Sequence, residues 1–92
     1  MSQEKELREV IKEIIIVEKI EDTIESLELE TQTALSMVKL NVPVLESFAQ
    51  AFMLIDELSE YYKAINNKLM RSVAFVKIKN ALDEFEEKLD QI

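Results

Sequence analysis

The sequence predicts an all-α protein, and three of its features support this prediction. The chain of 92 residues contains no glycine, whereas all-β folds and tight hairpins need residues that accept a positive φ. Its apolar residues recur every three or four positions over long stretches, which is the period of one helix face. Its single proline, Pro43, divides these stretches. We therefore expect one helical domain over residues 1–92, folded as an antiparallel bundle of three to four helices. Their expected bounds are about 2–30, 33–41, 43–66 and 68–90.

The first predicted helix has an unbroken apolar spacing of three or four residues. Its members are Leu7, Val10, Ile14, Val17, Ile20, Ile24 and Leu27. The sequence LELETQT then alternates apolar and polar residues, and its threonines disfavour helix interiors while suiting N-caps. A strand here would have no second strand to pair with. The pattern favours a kink or short loop near residues 29–33, and one continuous helix from 2 to 41 is the alternative.

Pro43 marks the start of the next predicted helix, because proline lacks a backbone donor and suits the first helical turn. The densest apolar run of the chain follows it. Coiled-coil packing uses apolar residues seven apart, and this run continues into such a series: Phe48, Ile55, Tyr62, Leu69 and Val76. The apolar frame shifts after Asn66 and Asn67, residues that tolerate the left-handed conformation ending many helices. We expect a turn there, and one bent helix from 43 to 90 is the alternative.

The composition excludes several kinds of catalysis. The chain has no cysteine and no histidine, which removes thiolate and Ser-His catalysis and the usual zinc and haem ligands. Two Glu-x-x-Glu pairs, Glu18 with Glu21 and Glu57 with Glu60, are the nearest approach to the carboxylates that bind magnesium in all-α nucleotide pyrophosphatases. The second pair has Glu where that pattern has Asp, and such pairs arise readily in acidic helices. We therefore expect that the protein is not an enzyme and that it binds no cofactor.

Charge and hydropathy indicate where the protein acts. The net charge of −8 argues against direct binding of nucleic acid, which requires neutralisation of phosphates. The first ten residues, MSQEKELREV, are charged and polar, and no run approaches the roughly 20 apolar residues that cross a bilayer. We expect a cytoplasmic protein that binds no membrane.

The charges are unevenly distributed along the chain. Residues 1–30 contain ten acids and four bases, whereas residues 61–82 contain five bases and no acid. Like charges four residues apart weaken an isolated helix, so we expect the basic segment to pack beside the acidic one. The residues expected to provide this charge complementarity are Glu18, Asp22, Glu25, Lys68, Arg71 and Lys77.

The apolar residues exceed what a small bundle can cover. The run 14–17 is apolar around the whole helix, and the run after Pro43 is nearly so, and one neighbouring helix cannot cover either. Contiguous exposed apolar patches usually mark interaction surfaces. The predicted interaction surface consists of Ile14, Ile15, Ile16, Val17, Val44, Phe48, Phe52 and Ile55.

These features predict a non-catalytic protein–protein interaction module, a small adaptor or regulatory subunit. We expect the bundle to be completed by self-association, with a twofold dimer favoured, and another protein to be a further partner. The alternative is an acidic inhibitor that imitates the charge of nucleic acid, of the kind that phages or mobile elements encode. A carboxylate-dependent nucleotide hydrolase is the third and least favoured function.

Overall fold

A computed structural model describes residues 2–41 and 43–91, and this part of the chain forms three helices and no strand. Helix α1 spans Ser2–Lys39, α2 spans Leu45–Lys63 and α3 spans Lys68–Leu89. The all-α prediction is confirmed. The helix count falls at the lower end of the predicted three to four.

Helix α1 is continuous over 38 residues, a length of about 57 Å. The predicted division into helices 2–30 and 33–41 is therefore wrong, and the continuous alternative is correct. The hydroxyl of Thr31 donates to the carbonyl of Leu27 at 2.7 Å, and that of Thr33 donates to Leu29 at 2.9 Å. Because a bond to the carbonyl four residues back satisfies each hydroxyl within the helix, neither threonine needs to cap a new one.

Two connections separate the helices. Asn41 follows α1 with a φ of 60°, the left-handed conformation common just after a helix. Pro43 lies in the connection, so α2 begins at Leu45 rather than at the predicted residue 43, and it ends three residues before the predicted residue 66. The predicted turn near Asn66 and Asn67 is confirmed, and the single helix from 43 to 90 is wrong.

Asn67 serves this turn as an N-cap rather than as a left-handed residue. Its φ is −67° and its ψ is 127°, and its side-chain oxygen accepts the backbone N–H of Met70 at 3.1 Å. Asparagine is among the preferred N-cap residues because its side chain satisfies one of the free donors of the first turn. The cap fixes the start of α3 one residue later, at Lys68.

The long helix α1 packs against both shorter helices, whereas α2 and α3 contact each other much less. Helix α2 runs back along α1. Ser47, near its start, lies 3.4 Å from the sulfur of Met37, and the connection that follows its end meets Glu13. Helix α3 then runs in the same direction as α1. The first turns of α1, residues 3–12, extend beyond the α2–α3 connection and remain largely exposed.

The buried core is narrow and follows a seven-residue repeat. The largest fully buried side chains are Ile20, Leu27, Leu58 and Ile65. The repeat comprises Glu13, Ile20, Leu27 and Ala34 in α1, Ala51 and Leu58 in α2 with Ile65 in the connection after it, and Ala74 and Ala81 in α3. Residues seven apart keep facing the same neighbour when helices cross at a small angle. The alanines leave little side chain between the helices, so their axes can approach closely.

The molecule is elongated and exposes more surface than a compact protein of its size. Its extents are 60 × 19 × 15 Å and its radius of gyration is 16.1 Å, compared with about 12 Å for a compact domain of this length. Its accessible surface is 6898 Å², whereas a compact monomer of this mass exposes about 5,500 Å². The excess is therefore about 1,400 Å². No helix in the described ranges is both long and apolar enough to cross a membrane.

Candidate interaction surface

An open groove lies between α2 and α3. Its α2 wall is formed by Ile55, Ser59 and Tyr62, and its α3 wall is formed by Phe75, Ile78 and Leu82, together with the charged pair Lys79 and Asp83. The groove has a volume of about 520 Å³. It exists because α2 and α3 each pack on α1 more closely than on each other. No residue of α1 lines it, so the groove opens on the side of the molecule away from α1.

Two aromatic pairs connect α2 to α3. The rings of Tyr62 and Phe75 lie 6.4 Å apart, and the guanidinium of Arg71 lies 5.3 Å from the centre of the Tyr62 ring. The rings of Phe52 and Phe85 lie 6.1 Å apart at an interplanar angle of 83°, which is a favourable edge-to-face geometry. Because the helices are antiparallel, these two pairs mark opposite ends of the region that contains the groove.

Both helices contribute residues to this surface at a spacing of three, four and three, and all of these residues except Ser59 are apolar. The α2 series is Phe52, Ile55, Ser59 and Tyr62, and the α3 series is Phe75, Ile78, Leu82 and Phe85. Phe85 is buried, whereas Phe52 and Phe75 are 58% and 53% exposed. Two phenylalanines are thus more than half exposed on one face of the molecule. We call this face, made of the two series, the α2–α3 face.

The α2 residues of the predicted interaction surface lie at different depths. Phe52 and Ile55 belong to the α2–α3 face, where Ile55 is half-buried and packs against the core. Phe48 is half-buried one turn before Phe52. Val44 is half-buried and directly precedes α2. It occupies the N-cap position, but its side chain makes no capping hydrogen bond. The structure therefore brings Phe52 and Ile55 together on one face.

The predicted seven-residue series does not form the core. Its α2 members, Phe48, Ile55 and Tyr62, are half-buried, and its α3 members, Leu69 and Val76, are exposed. The buried apolar residues of this region lie three positions later in the repeat: Ala51 and Leu58 in α2, and Ile65 in the connection after it. The small side chain of Ala51 permits close approach of α2 to α1. This favours a rotation of α2 that leaves its large aromatic side chains outside the core.

The run 14–17 in α1 is only partly covered. Ile16 and Val17 are half-buried and pack against the core, whereas Ile14 and Ile15 are 41% and 47% exposed. Two more apolar residues of α1, Leu7 and Ile11, are exposed on the turns before them. These residues form a second apolar patch, separate from the α2–α3 face.

One ion pair joins the acidic stretch of α1 to α3. Lys77 Nζ lies 2.9 Å from Glu21 Oε1, with both side chains partly exposed. Within residues 2–41 and 43–91 no ion pair connects Glu18, Asp22 or Glu25 to α3. Arg71 instead stacks on Tyr62, and Lys68 is exposed in the first turn of α3. The basic and acidic segments are therefore adjacent at Lys77. Its partner is Glu21, which was not among the residues predicted to provide charge complementarity.

Glu13, which is only 4% exposed, was not among the predicted site residues. Its Oε1 accepts the backbone N–H of Asn66 and also that of Asn67, at 3.1 Å, and its Oε2 lies 3.3 Å from the Asn67 nitrogen. A carboxylate at this position satisfies free donors and lies near the positive end of the α3 dipole. Its only trace in the sequence is its position, seven residues before Ile20 and fourteen before Leu27.

The carboxylates of the described residues do not assemble into a metal site. Among the described residues no three Asp or Glu side chains converge as ligands of a metal ion would. Glu21 pairs with Lys77 on α3, whereas Glu60 lies 3.6 Å from Lys63 on α2. One glutamate of each Glu-x-x-Glu pair is thus paired with a lysine.

Comparison with models of protein families, with curated proteins and with solved structures finds no match to this chain. Its function is therefore inferred from its own geometry and charge.

Proposed function

We propose that this protein is a non-catalytic interaction module that pairs with a second copy of itself through the α2–α3 face. The two pairs of helices would then pack on each other and complete a helical bundle, with α1 of each copy on the outside. The observation that supports this proposal is the open groove, with Phe52 and Phe75 more than half exposed beside it. A contiguous apolar patch of this kind usually marks an interaction surface.

The exposed area is sufficient for a dimer. A standard stable interface buries about 800 Å² on each partner. The protein exposes 6898 Å², about 1,400 Å² more than a compact monomer of its mass. An interface of standard size, about 800 Å² on each copy, would cover more than half of this excess. A twofold dimer is the commonest closed assembly, and it pairs the same patch on both copies, so a single apolar face is enough.

The test compares two adjacent residues of α2 that are almost equally exposed, Phe52 at 58% and Met53 at 61%. Phe52 lies on the α2–α3 face, whereas Met53 lines a shallow depression beside Glu57 and Glu60. Phe52→Lys and Met53→Lys add the same charge, each with an acid four residues later, Asp56 or Glu57. They differ in the face that they alter, and Phe52→Lys also removes the ring contact with Phe85 inside the monomer.

We expect sedimentation equilibrium at micromolar concentration to give twice the chain mass for the original sequence and for Met53→Lys. Phe52→Lys should weaken the dimer by at least about tenfold, because it places a charge in the apolar interface. Circular dichroism should show that both variants remain helical. A monomeric mass for the original sequence, or equal behaviour of the two variants, would contradict the proposal.

The acidic row on α1 supports a second candidate function, an inhibitor that occupies a basic groove of another protein. Glu18, Asp22 and Glu25 are exposed at spacings of four and three residues, so their carboxylates lie along one side of the helix. Salt distinguishes the two candidates. Electrostatic binding would weaken steeply with rising ionic strength, whereas a dimer held by the apolar α2–α3 face would persist.

A further inference from the structure

Helix α3 is electrically asymmetric along its length. Residues 68–79 contain four bases and no acid, whereas residues 80–91 contain five acids and one base. The sign changes between Lys79 and Asp83, and both of these residues line the groove. The change in charge therefore occurs beside the groove, between the aromatic pairs of Phe75 and Phe85.

This asymmetry opposes the dipole of α3. Acids favour the start of a helix and bases favour its end, yet the first turn of α3 contains no acid. Helix α1 compensates the basic half, because Glu13 accepts the N–H groups before α3 and Glu21 pairs with Lys77. The basic half is thus partly balanced inside one chain.

The acidic half has no comparable compensation. Asp83 and Lys79 are each 62% exposed and their charged atoms are 3.9 Å apart, at the limit of an ion pair. The other acids of this half form no ion pair within the part of the chain that the structure describes: Glu84, Glu86, Glu87 and Asp90. The uncompensated charge lies on the helix that forms one wall of the groove.

We infer that the second copy docks with its α3 antiparallel to the first, across a twofold axis that passes beside residues 79–83. This inference rests on the proposed dimer and specifies its orientation. The axis places the basic half of each α3 against the acidic half of the other. Lys79 then lies near Asp83 of the partner subunit, and the same contact occurs twice by symmetry.

A parallel arrangement of the two α3 helices has the opposite electrostatics. It would bring the four bases of one copy against the four bases of the other, and the acids against the acids. Like charges across an interface are unfavourable, and charged residues beside an apolar seam commonly determine the orientation of paired helices. The charge pattern of α3 is therefore self-complementary only in the antiparallel orientation.

Reversal of Lys79 and Asp83 tests this orientation with matched variants. Lys79→Glu and Asp83→Lys each make two like-charge contacts in an antiparallel homodimer. The double variant K79E/D83K restores opposite charges, and it keeps an ion pair within each chain in the order that helices prefer, Glu before Lys. Circular dichroism of the single variants measures any loss of helix in the monomer. Sedimentation at low ionic strength measures the dimer.

We expect each single variant to weaken the homodimer by about tenfold, and the double variant to pair as well as the original sequence. An equimolar mixture of Lys79→Glu and Asp83→Lys should form a heterodimer. The original sequence and the double variant should each pair with themselves and not with each other, which chains of different mass would show by native mass spectrometry.

Two results would overturn the inference while leaving the proposed function intact. A preferred heterodimer of the original sequence with the double variant would show a parallel orientation. Equal dimer affinity for all four chains would show that these charges do not determine orientation. A monomeric original sequence would instead contradict the proposed function itself, so the two failures are distinguishable.

Discussion

Helix α1 has the same apolar spacing in its first turns and in its middle, but only the middle is covered. Leu7 is 61% exposed, whereas Leu27 is 2% exposed. The difference lies in the neighbouring helices that pack against each part of α1. Helix α2 contains 19 residues and is therefore about 28 Å long, so it returns along α1 only as far as the connection beside Glu13. Periodicity shows which residues share a face, and the length of the neighbouring helices decides how much of that face is buried.

Removing one leucine from each region should give the largest contrast. Leu27→Ala creates a cavity between helices and should reduce the free energy of unfolding by about 3 kcal/mol. Leu7→Ala should change it by less than about 0.5 kcal/mol, because the side chain is already mostly in water. Urea denaturation at equal protein concentration measures both values. A comparable loss at Leu7 would mean that the first turns of α1 are covered in solution.

The boundary between the two regions depends on Glu13. Glu13→Ala leaves the backbone N–H groups of Asn66 and Asn67 without their acceptor, and should destabilise the fold by about 2 kcal/mol. The matched control is Glu9→Ala, one turn earlier on the exposed part of α1, with an expected change below about 0.5 kcal/mol. Hydrogen exchange should also become faster at Asn66 and Asn67 in Glu13→Ala. Unchanged exchange there would refute this role.

The sequence was sufficient to predict the all-α fold and its two connections, but it also suggested a break near residues 29–33 that does not occur, and it did not reveal the contacts between the helices. The lack of glycine, the apolar period and Pro43 indicated an all-α fold and located both connections to within a few residues. Which face of α2 packs against α1 was harder to predict. Phe48 and Ile55 offer more apolar surface than Ala51, yet Ala51 is the residue that is buried. Close approach of two backbones depends on both helices together, and no single segment reveals it.

The charged contacts were predictable only as a general tendency. Acidic and basic segments were expected to be adjacent, but the pairing of Lys77 with Glu21 depends on the axial alignment of α3 with α1. Glu13 was hidden because an acid on an amphipathic helix is usually solvated. Its burial requires the α2–α3 connection to present two backbone donors to it, and that geometry arises only after the helices have packed.

The smallest predicted effect is the change in stability when Thr31 or Thr33, two residues within one turn of α1, is replaced by alanine. Thr31 is buried, whereas Thr33 is exposed although it makes the same type of hydroxyl bond. Thr33→Ala should stabilise the protein by up to about 0.5 kcal/mol, because alanine has the higher helix propensity and water replaces the lost bond at little cost. Thr31→Ala should instead destabilise it by about 1 kcal/mol, since the removed group was packed. Thermal and urea unfolding measure both changes. Had the chain broken near residues 29–33 with Thr33 as an N-cap, Thr33→Ala would cost about 1 kcal/mol, so the sign of this change also tests the continuity of α1.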